Sequence, residues 1–318
     1  MRKCVVLLAL VMVLLACAAG CGTPWEEWEV FEPTFGPPPA TVYEPPSALT
    51  EHEFVSAGGE SNGVRWRTLD LEDKANADMR TWFHRNRVVW RSSWSEASRE
   101  YPIGNDGKTI TIKRDRDYNY YFVLQEEGKK DKLVHQTDDY EYGLNILGVL
   151  DERYFVFRRQ YDWGYSREYI VDMKKQREIP IGDNLGYLGH DGTYAYFTQG
   201  EGGEMAEPGF ALRPYKYDWT VLREGGDLQA ERGFDFIPDI VVEGGQFLTE
   251  DARYYVIFPD DSGRDLYVFD MQKGEELLHT TLDIECFLVR QLDDHTLYGF
   301  DHHFEPYEWT SALEIKLP

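Results

Sequence analysis

An all-β fold assembled from several copies of one small antiparallel sheet is what this sequence predicts. Three observations predict it. Aromatic residues make up 15% of the 318, led by 21 Tyr and 17 Phe, and such side chains suit a pleated, half-buried surface. Short apolar runs bounded by Gly, Asp, Asn or Pro follow one another while helical periodicity is scarce. One line is written twice, as EYIVDMKKQREI at 168–179 and as LYVFDMQKGEEL at 266–277.

The chain opens on a leader, 1–20. MRK is a short basic region, and CVVLLALVMVLLA is an apolar stretch too short to span a bilayer comfortably. Small residues follow, with LLAC ending at Cys17 and AAGC at Cys21. Both tetrads resemble the lipobox of bacterial lipoproteins. The resemblance implies cleavage before Cys17 or Cys21 and a diacylglycerol thioether with an N-acyl (palmitate-type) chain on that cysteine. It implies a protein held on the outer face of the cell membrane, in the cell envelope. Two or three acyl chains suffice for stable anchoring at ~0.8 kcal/mol per buried CH₂. The residues leave the choice of cysteine open, and an ordinary signal peptide with incidental cysteines is the alternative. Neither cysteine is followed by Asp.

Residues 21–50 read as a Pro-rich acidic linker. Seven of the fifteen prolines lie between Pro24 and Pro46, favouring extended geometry of ~3.1 Å per residue and a reach of roughly 80 Å. Glu26, Glu27, Glu29 and Glu32 alternate with Trp25, Trp28 and Phe31, so this arm either docks on the body or meets a partner.

The body, 51–318, has one plausible helix, LEDKANADMRTWFHR at 71–85, and otherwise strands. KTITIK, YNYYFVLQ, DKLVHQT, RYFVFRRQ, EYIVDM, TYAYFTQ, FALRPYKY, RYYVIFP, LYVFDM, ELLHTTL, FLVRQL, TLYGFD and ALEIKL are four to eight residues each, with turns such as NDG at 105–107 and HDG at 190–192 between them. Each copy of the doubled line is preceded by a second match, DERYFVF at 151–157 and DARYYVIF at 251–258. Weaker copies of this D-x-R-Y line stand at 117–124, 191–197 and 293–300, with intervals of 34 to 60 residues. Repeats near 40 residues with three or four short strands each are the mark of propeller blades, which bury both faces by stacking round an axis. The strand–turn–strand lines also resemble the core of bacterial β-propeller repeats, over roughly residues 100–318. The expected fold is β-propeller-like, of about six blades or seven, and a β-sandwich or meander is the alternative.

The net charge is −24, a field that repels nucleic acid and anionic lipid heads. Of the four cysteines only Cys286 lies in the body, so no disulfide is expected, and Cys286 in IECFLVRQL reads as a small buried hydrophobe. DRDYN at 115–119 has the oxygen spacing of a calcium loop, but Tyr120 replaces the required Gly; a hairpin turn fits better, as it does for DDSGRD at 260–265. His302 and His303 in DHHFE are adjacent, so a strand would point them to opposite faces. GEGGEMAEPG at 200–209 is Gly-rich, yet its glutamates would repel phosphate. No nucleophile elbow, zincin helix or phosphate loop is present, and no metal or cofactor is expected.

One island opposes the overall charge. Arg65, Arg67, Arg80, Arg85, Arg87, Arg91 and Arg99 stand among Trp66, Trp82, Trp90 and Trp94. Arg and Trp together suit cation–π contacts and binding hot spots, so Arg80, Trp82, Arg87, Trp90, Arg91 and Trp94 are the candidate binding residues. Contacts within the protein, with guanidiniums stacked on tryptophans, are the alternative. The expected function is a lipid-anchored, non-catalytic binding or assembly module of the envelope, with an envelope protein or polysaccharide as partner. An extracytoplasmic carbohydrate-active enzyme with its site in the funnel is the second expectation.

Overall fold

The structure, a computed structural model, describes residues 55–74, 77, 80–81, 100–103, 107–114, 119–137, 144–161, 165–199, 214–231, 234–238, 245–259, 263–286, 288–300 and 310–318. The leader, the linker, DHHFE and GEGGEMAEPG lie outside these residues. Of the expected helix 71–85, residues 71–74 are described and are not α-helical, Ala77, Arg80 and Thr81 are described and are helical, and the remainder lies outside. Among the described residues no helix is long and apolar enough to cross a membrane.

The first two strands, β1 (Val55–Ser61) and β2 (Val64–Asp70), form a hairpin whose other partners come from the far end of the chain. Blade 1 follows as β3 (Glu100–Ile103), β4 (Lys108–Arg114), β5 (Tyr120–Glu126) and β6 (Lys132–Thr137). Blade 2 is β7 (Leu144–Val149), β8 (Tyr154–Gln160), β9 (Ser166–Asp172) and β10 (Arg177–Asp183). Blade 3 is β11 (Leu185–His190), β12 (Tyr194–Gln199), β13 (Tyr215–Asp218) and the two-residue β14 (Ala230–Glu231), with one helical turn, Val221–Glu224, between the last two. Blade 4 is β15 (Gln246–Leu248), β16 (Tyr254–Ile257), β17 (Asp265–Asp270) and β18 (Glu275–Thr281). Blade 5 takes β19 (Leu288–Asp293), β20 (Thr296–Phe300) and β21 (Ser311–Lys316), then borrows β2 and β1 as its outer strands. Every pairing is antiparallel, and all but that of β2 with β21 join chain neighbours. The first strands of successive blades, β3, β7, β11, β15 and β19, run beside one another. The fold is β-propeller-like, as the repeats predict.

Among the described residues there are five sheets, where chain length predicts six or seven. The surplus length falls between strands. Fifteen residues separate Gln199 from Tyr215, and fourteen separate Glu231 from Gln246. The 60-residue interval between two D-x-R-Y lines is therefore one blade with long connections. The copy at 117–124 is also out of phase. The other four lie on the second strand of blades 2 to 5, whereas this one lies on β5, the third strand of blade 1.

Alternation along each strand explains the packing. Phe155 and Phe157 of β8 face blade 1, joining Ile110, Phe122 and Val134. Tyr154 and Val156 of the same strand face blade 3, joining Ala195, Phe197 and Trp219. The third interface joins Tyr196 to Tyr255, Ile257 and Phe269, and the fourth joins Val256 and Val268 to Leu297, Leu313 and Ile315. Cys286 is fully buried in the fourth, as expected for a small hydrophobe. The opposite face of blade 5 gathers Leu69, Leu71, Tyr298, Phe300 and Ala312. Fully burying one such aromatic contributes about 1.5–3 kcal/mol.

The doubled line has a structural cause. Asp172 ends β9, and its Oδ1 accepts the turn amides of Lys174 and Lys175 at 3.0 and 3.1 Å. Asp270 ends β17 and accepts from Gln272 and Lys273 at 3.1 and 2.9 Å. The Arg of each D-x-R-Y line reaches that buried Asp. Arg153 donates through Nε and Nη2 to Asp172 at 2.9 and 2.6 Å, and Arg253 Nη2 lies 3.6 Å from Asp270. Both guanidiniums also cover the following tyrosine ring, at 4.9 and 4.7 Å. The repeat thus encodes a charged staple between the second and third strands of a blade. Both turns end in a left-handed residue, Gln176 (φ 52) in one and Gly274 (φ 69) in the other.

Candidate functional site at the axis and on the second blade

Ligands of propellers meet the inner strands and the loops around them. LNILGV, LGYLGH and QFL, which form β7, β11 and β15, carry neither acid nor base stronger than one histidine. Tyr187 and His190 of β11 are joined, Oη to Nδ1, at 2.7 Å. Burial pushes the Tyr187 hydroxyl well above the ordinary phenol range and pushes His190 below the ordinary imidazole value. Both are therefore neutral at pH 7. Tyr101 on β3 is likewise raised by burial. Gln246 of β15 accepts from the Tyr255 hydroxyl at 2.6 Å and donates to Thr198 Oγ1 at 3.1 Å. The part of the axial wall built by β7, β11 and β15 is neutral and hydrogen-bonding.

A second constellation lies where blades 1 and 2 meet, at the end where β6 finishes and β8 turns into β9. Arg159 is buried beneath this end. Its Nη2 donates to Glu178 Oε1 at 2.6 Å and to Thr137 Oγ1, and its guanidinium covers the Tyr169 ring at 4.7 Å. His135 Nε2 meets the same Glu178 oxygen at 2.7 Å from blade 1. Burial alone would raise Glu178, but His135 and Arg159 hold it below the usual carboxylate value. Above this base the hairpin closes through Tyr161 N–H to Tyr165 C=O at 2.9 Å. The Tyr161 and Tyr165 rings are 5.2 Å apart and tilted by 40°. Each hydroxyl is pinned. Tyr161 meets Tyr169 Oη at 2.9 Å, and Arg167 Nη2 donates to Tyr165 Oη at 3.0 Å. Arg167 also forks onto Asp183, and this pair stays open to solvent, at 38% and 46% exposed. Hydrogen bonding from Arg167 keeps Asp183 below the ordinary carboxylate range. Burial would raise Tyr161, yet bonds from Tyr169 and Arg159 bring it below the ordinary phenol value, while Tyr169 is pushed up to about 12 by burial and by Tyr161. The base is ionic and closed, and the tip is aromatic with one open ion pair.

Of the binding residues expected from sequence, only Arg80 is among the described residues. Arg80 is exposed on its helical turn, and Trp82, Arg87, Trp90, Arg91 and Trp94 lie outside the described residues, as do Cys17 and Cys21. Arg65, Trp66 and Arg67 are on β2, where Arg67 Nε pairs with buried Glu314 at 2.7 Å and Trp66 packs into the blade 4–5 core. Residues 115–118 and 260–262 of the two turn motifs are likewise outside. Among the described residues no three His, Cys, Asp or Glu side chains are grouped to hold a metal. Sequence reasoning missed the Tyr161 tip. Its signal was QYDWGYSREY, an aromatic-dense turn between two strand runs.

No protein-family model matches the chain, and no curated protein matches it in sequence. Solved structures resemble it at low identity. A prolyl endopeptidase shares 12% identity over 82% of this chain and 42% of its own, with a TM-score of 0.45. A eukaryotic initiation factor shares 8% over 64% and 48%, with a TM-score of 0.44. TolB from Acinetobacter baumannii shares 16% over 65% and 51%, with a TM-score of 0.33. This chain thus spans about half the length of each.

Proposed function

We propose that the chain is an exported, lipid-anchored protein whose propeller-like body is a non-catalytic binding or assembly module of the cell envelope. The tip formed by Tyr161, Tyr165, Arg167 and Asp183 is its recognition surface. One observation carries the reading: the rings are fixed in advance by bonds to Tyr169 and Arg167, while the Arg167–Asp183 pair remains open. Preorganised tyrosines offer contact area at low entropic cost. The carboxylate-free β7, β11 and β15 favour binding over a two-carboxylate hydrolase along that part of the axis, since that chemistry needs a paired acid and base; Glu100 on β3 and Asp293 on β19 are the carboxylates of the other two inner strands. The two lipobox-like tetrads support the anchor, at Cys17 or Cys21.

The test is to express the full chain, isolate envelopes, crosslink, and compare wild type with Tyr161→Ala/Tyr165→Ala. Retention of an envelope component by wild type and its loss from the double variant supports the reading. Equal retention by both refutes the assigned surface. Turnover of a glycan substrate by the purified chain, abolished by changes at the axis, would overturn the non-catalytic role.

A further inference from the structure

Blade 2 departs in charge from the line it shares with blade 4. After the stapled Asp, blade 4 reads MQKGEE and blade 2 reads MKKQRE. In blade 4 the single Lys273 lies 3.7 Å from Asp270 and 3.4 Å from Glu275. In blade 2, Lys174, Lys175 and Arg177 are all exposed. The equivalent turn of blade 1 adds exposed Lys129, Lys130 and Lys132. The two turns lie side by side, because Gln176 Nε2 donates to Leu133 C=O at 3.2 Å and His135 Nε2 lies 2.7 Å from Glu178 Oε1. The acids here are few. Glu126 pairs with Lys129 and Asp131 with Lys113, both at 2.6 Å. Glu127 and Glu152 are the other exposed acids of these turns, and Asp106 between β3 and β4 lies outside the described residues. Lys132, Lys174, Lys175 and Arg177 have no ion pair among the described residues. Adjacent like charges are destabilising, and this chain holds 57 acids against 33 Lys and Arg.

We propose that this patch docks the chain's own acidic segment EEWEVFE, residues 26–32. Its glutamates match the cations in sign, and Trp28 and Phe31 among them offer ring faces to Lys and Arg. Reach is sufficient. Residues 33–54 span up to roughly 70 Å at ~3.1 Å per residue, whereas a body of this size has a radius of gyration of about 18 Å. Tethering supplies an effective concentration on the order of millimolar, so modest charge pairing fills the site. A wide anionic surface fits less well. Exposed Glu250, Asp251, Asp293 and Asp294 stand on blades 4 and 5 at the same end of the propeller. A bilayer or long polyanion meets them, and a seven-residue segment does not. Docking needs no anchor, but with the anchor proposed above it shortens the stalk: only a few residues then separate the lipidated cysteine from the bound segment, and the body sits close to the membrane.

Acetylation of the purified full chain, read lysine by lysine by mass spectrometry, tests this. Glu26→Gln/Glu27→Gln/Glu29→Gln/Glu32→Gln should raise the labelling of Lys132, Lys174 and Lys175 about threefold or more, the return expected of several exposed charge pairs. Lys216, which pairs with Glu231 on blade 3, should label as in wild type. In the reciprocal variant, Lys132→Gln/Lys174→Gln/Lys175→Gln, chymotryptic cleavage after Trp28 and Phe31 should accelerate several-fold at an unchanged thermal midpoint. Labelling indifferent to the four glutamates would overturn the inference. Cleavage indifferent to the three lysines would place the segment elsewhere and overturn it too. Patch lysines open in the chain alone, and protected only by phosphatidylglycerol vesicles, would assign the patch to a bilayer and exclude the segment.

Discussion

Gly148 on β7 stands where the Tyr187 side chain of β11 crosses from the next blade. A Cβ at this position would lie 2.5 Å from Tyr187 Oη and 2.9 Å from Cε1 and Cζ. Carbon contacts are optimal at ~3.5–4.0 Å, so Gly148→Ala forces Tyr187 back by roughly an ångström. Tyr187 has little room to yield, because its hydroxyl is held by His190 at 2.7 Å and its ring packs on Phe197. Overpacking of this kind costs ~1–3 kcal/mol, and losing the His190 bond adds ~0.5–1.5 kcal/mol. The expected loss is about 2–4 kcal/mol, read as a lower urea midpoint with an unchanged slope. Adding Tyr187→Phe removes the closest atom, so the double variant should recover ~1–2 kcal/mol relative to additivity. A Gly148→Ala protein within ~0.5 kcal/mol of wild type, or strict additivity with Tyr187→Phe, would refute the claim that these inner strands interlock.

Three other outcomes are expected. Gln176→Gly should stabilise the body by up to ~1 kcal/mol, since Gln176 occupies the left-handed position that Gly274 fills in the equivalent turn; a destabilised variant would show that its side-chain bond to Leu133 C=O matters more. Asp172, Glu178 and Asp183 are all held below their unfolded values, with Arg153, His135 and Arg167 the respective bonding partners. Their contribution is full above about pH 4–5 and is lost as pH falls through the lower folded values. Glu168, raised by burial, works in the opposite sense. Urea midpoints should therefore hold from pH 7 to 5 and drop below 4, and Asp172→Asn, which removes the carboxylate that Arg153 and the turn amides share, should lower the midpoint at pH 7 and flatten that drop. Cys17→Ala with Cys21→Ala should move the protein from the membrane to the soluble fraction, and a double variant that stays membrane-bound would exclude the anchor.

The middle strands were legible because their sequence carries the staple. Asp151, Arg153 and Asp172 are fixed by the turn amides and guanidinium contacts they make, and blade 4 repeats them as Asp251, Arg253 and Asp270. The inner strands were not. LNILGV and LGYLGH are not among the runs that the sequence marks as strands, and their glycines stand at places where a neighbour's side chain fills the space. Tyr187 lies over Gly148, and Thr198 Oγ1 would sit 2.7 Å from a Cβ on Gly186. Three-residue β15 is too short for any period to show. The Tyr161 tip escaped for another reason. Its partners, Thr137, Glu178 and Asp183, come from different strands and blades, so no local pattern joins them. Of the Arg/Trp island, Trp82, Arg87, Trp90, Arg91 and Trp94 lie outside the described residues, while at its edge Arg67 pairs with Glu314, 247 residues away.

That last separation governs how the molecule is made. Blade 5 draws β1 and β2 from the front of the chain and β19 to β21 from the back, so the first strands to be synthesised must wait for the last. Blades 2, 3 and 4 need only their own residues and can assemble in order. The pairing of Arg67 with Glu314 closes a loop of nearly the whole body, at an entropic cost that grows as (3/2)RT ln n, and contacts so distant in sequence slow folding. A chain that appears from its N-terminus first would therefore show the β1–β2 hairpin unpaired. Blade 5 would be complete only after residue 316 had followed.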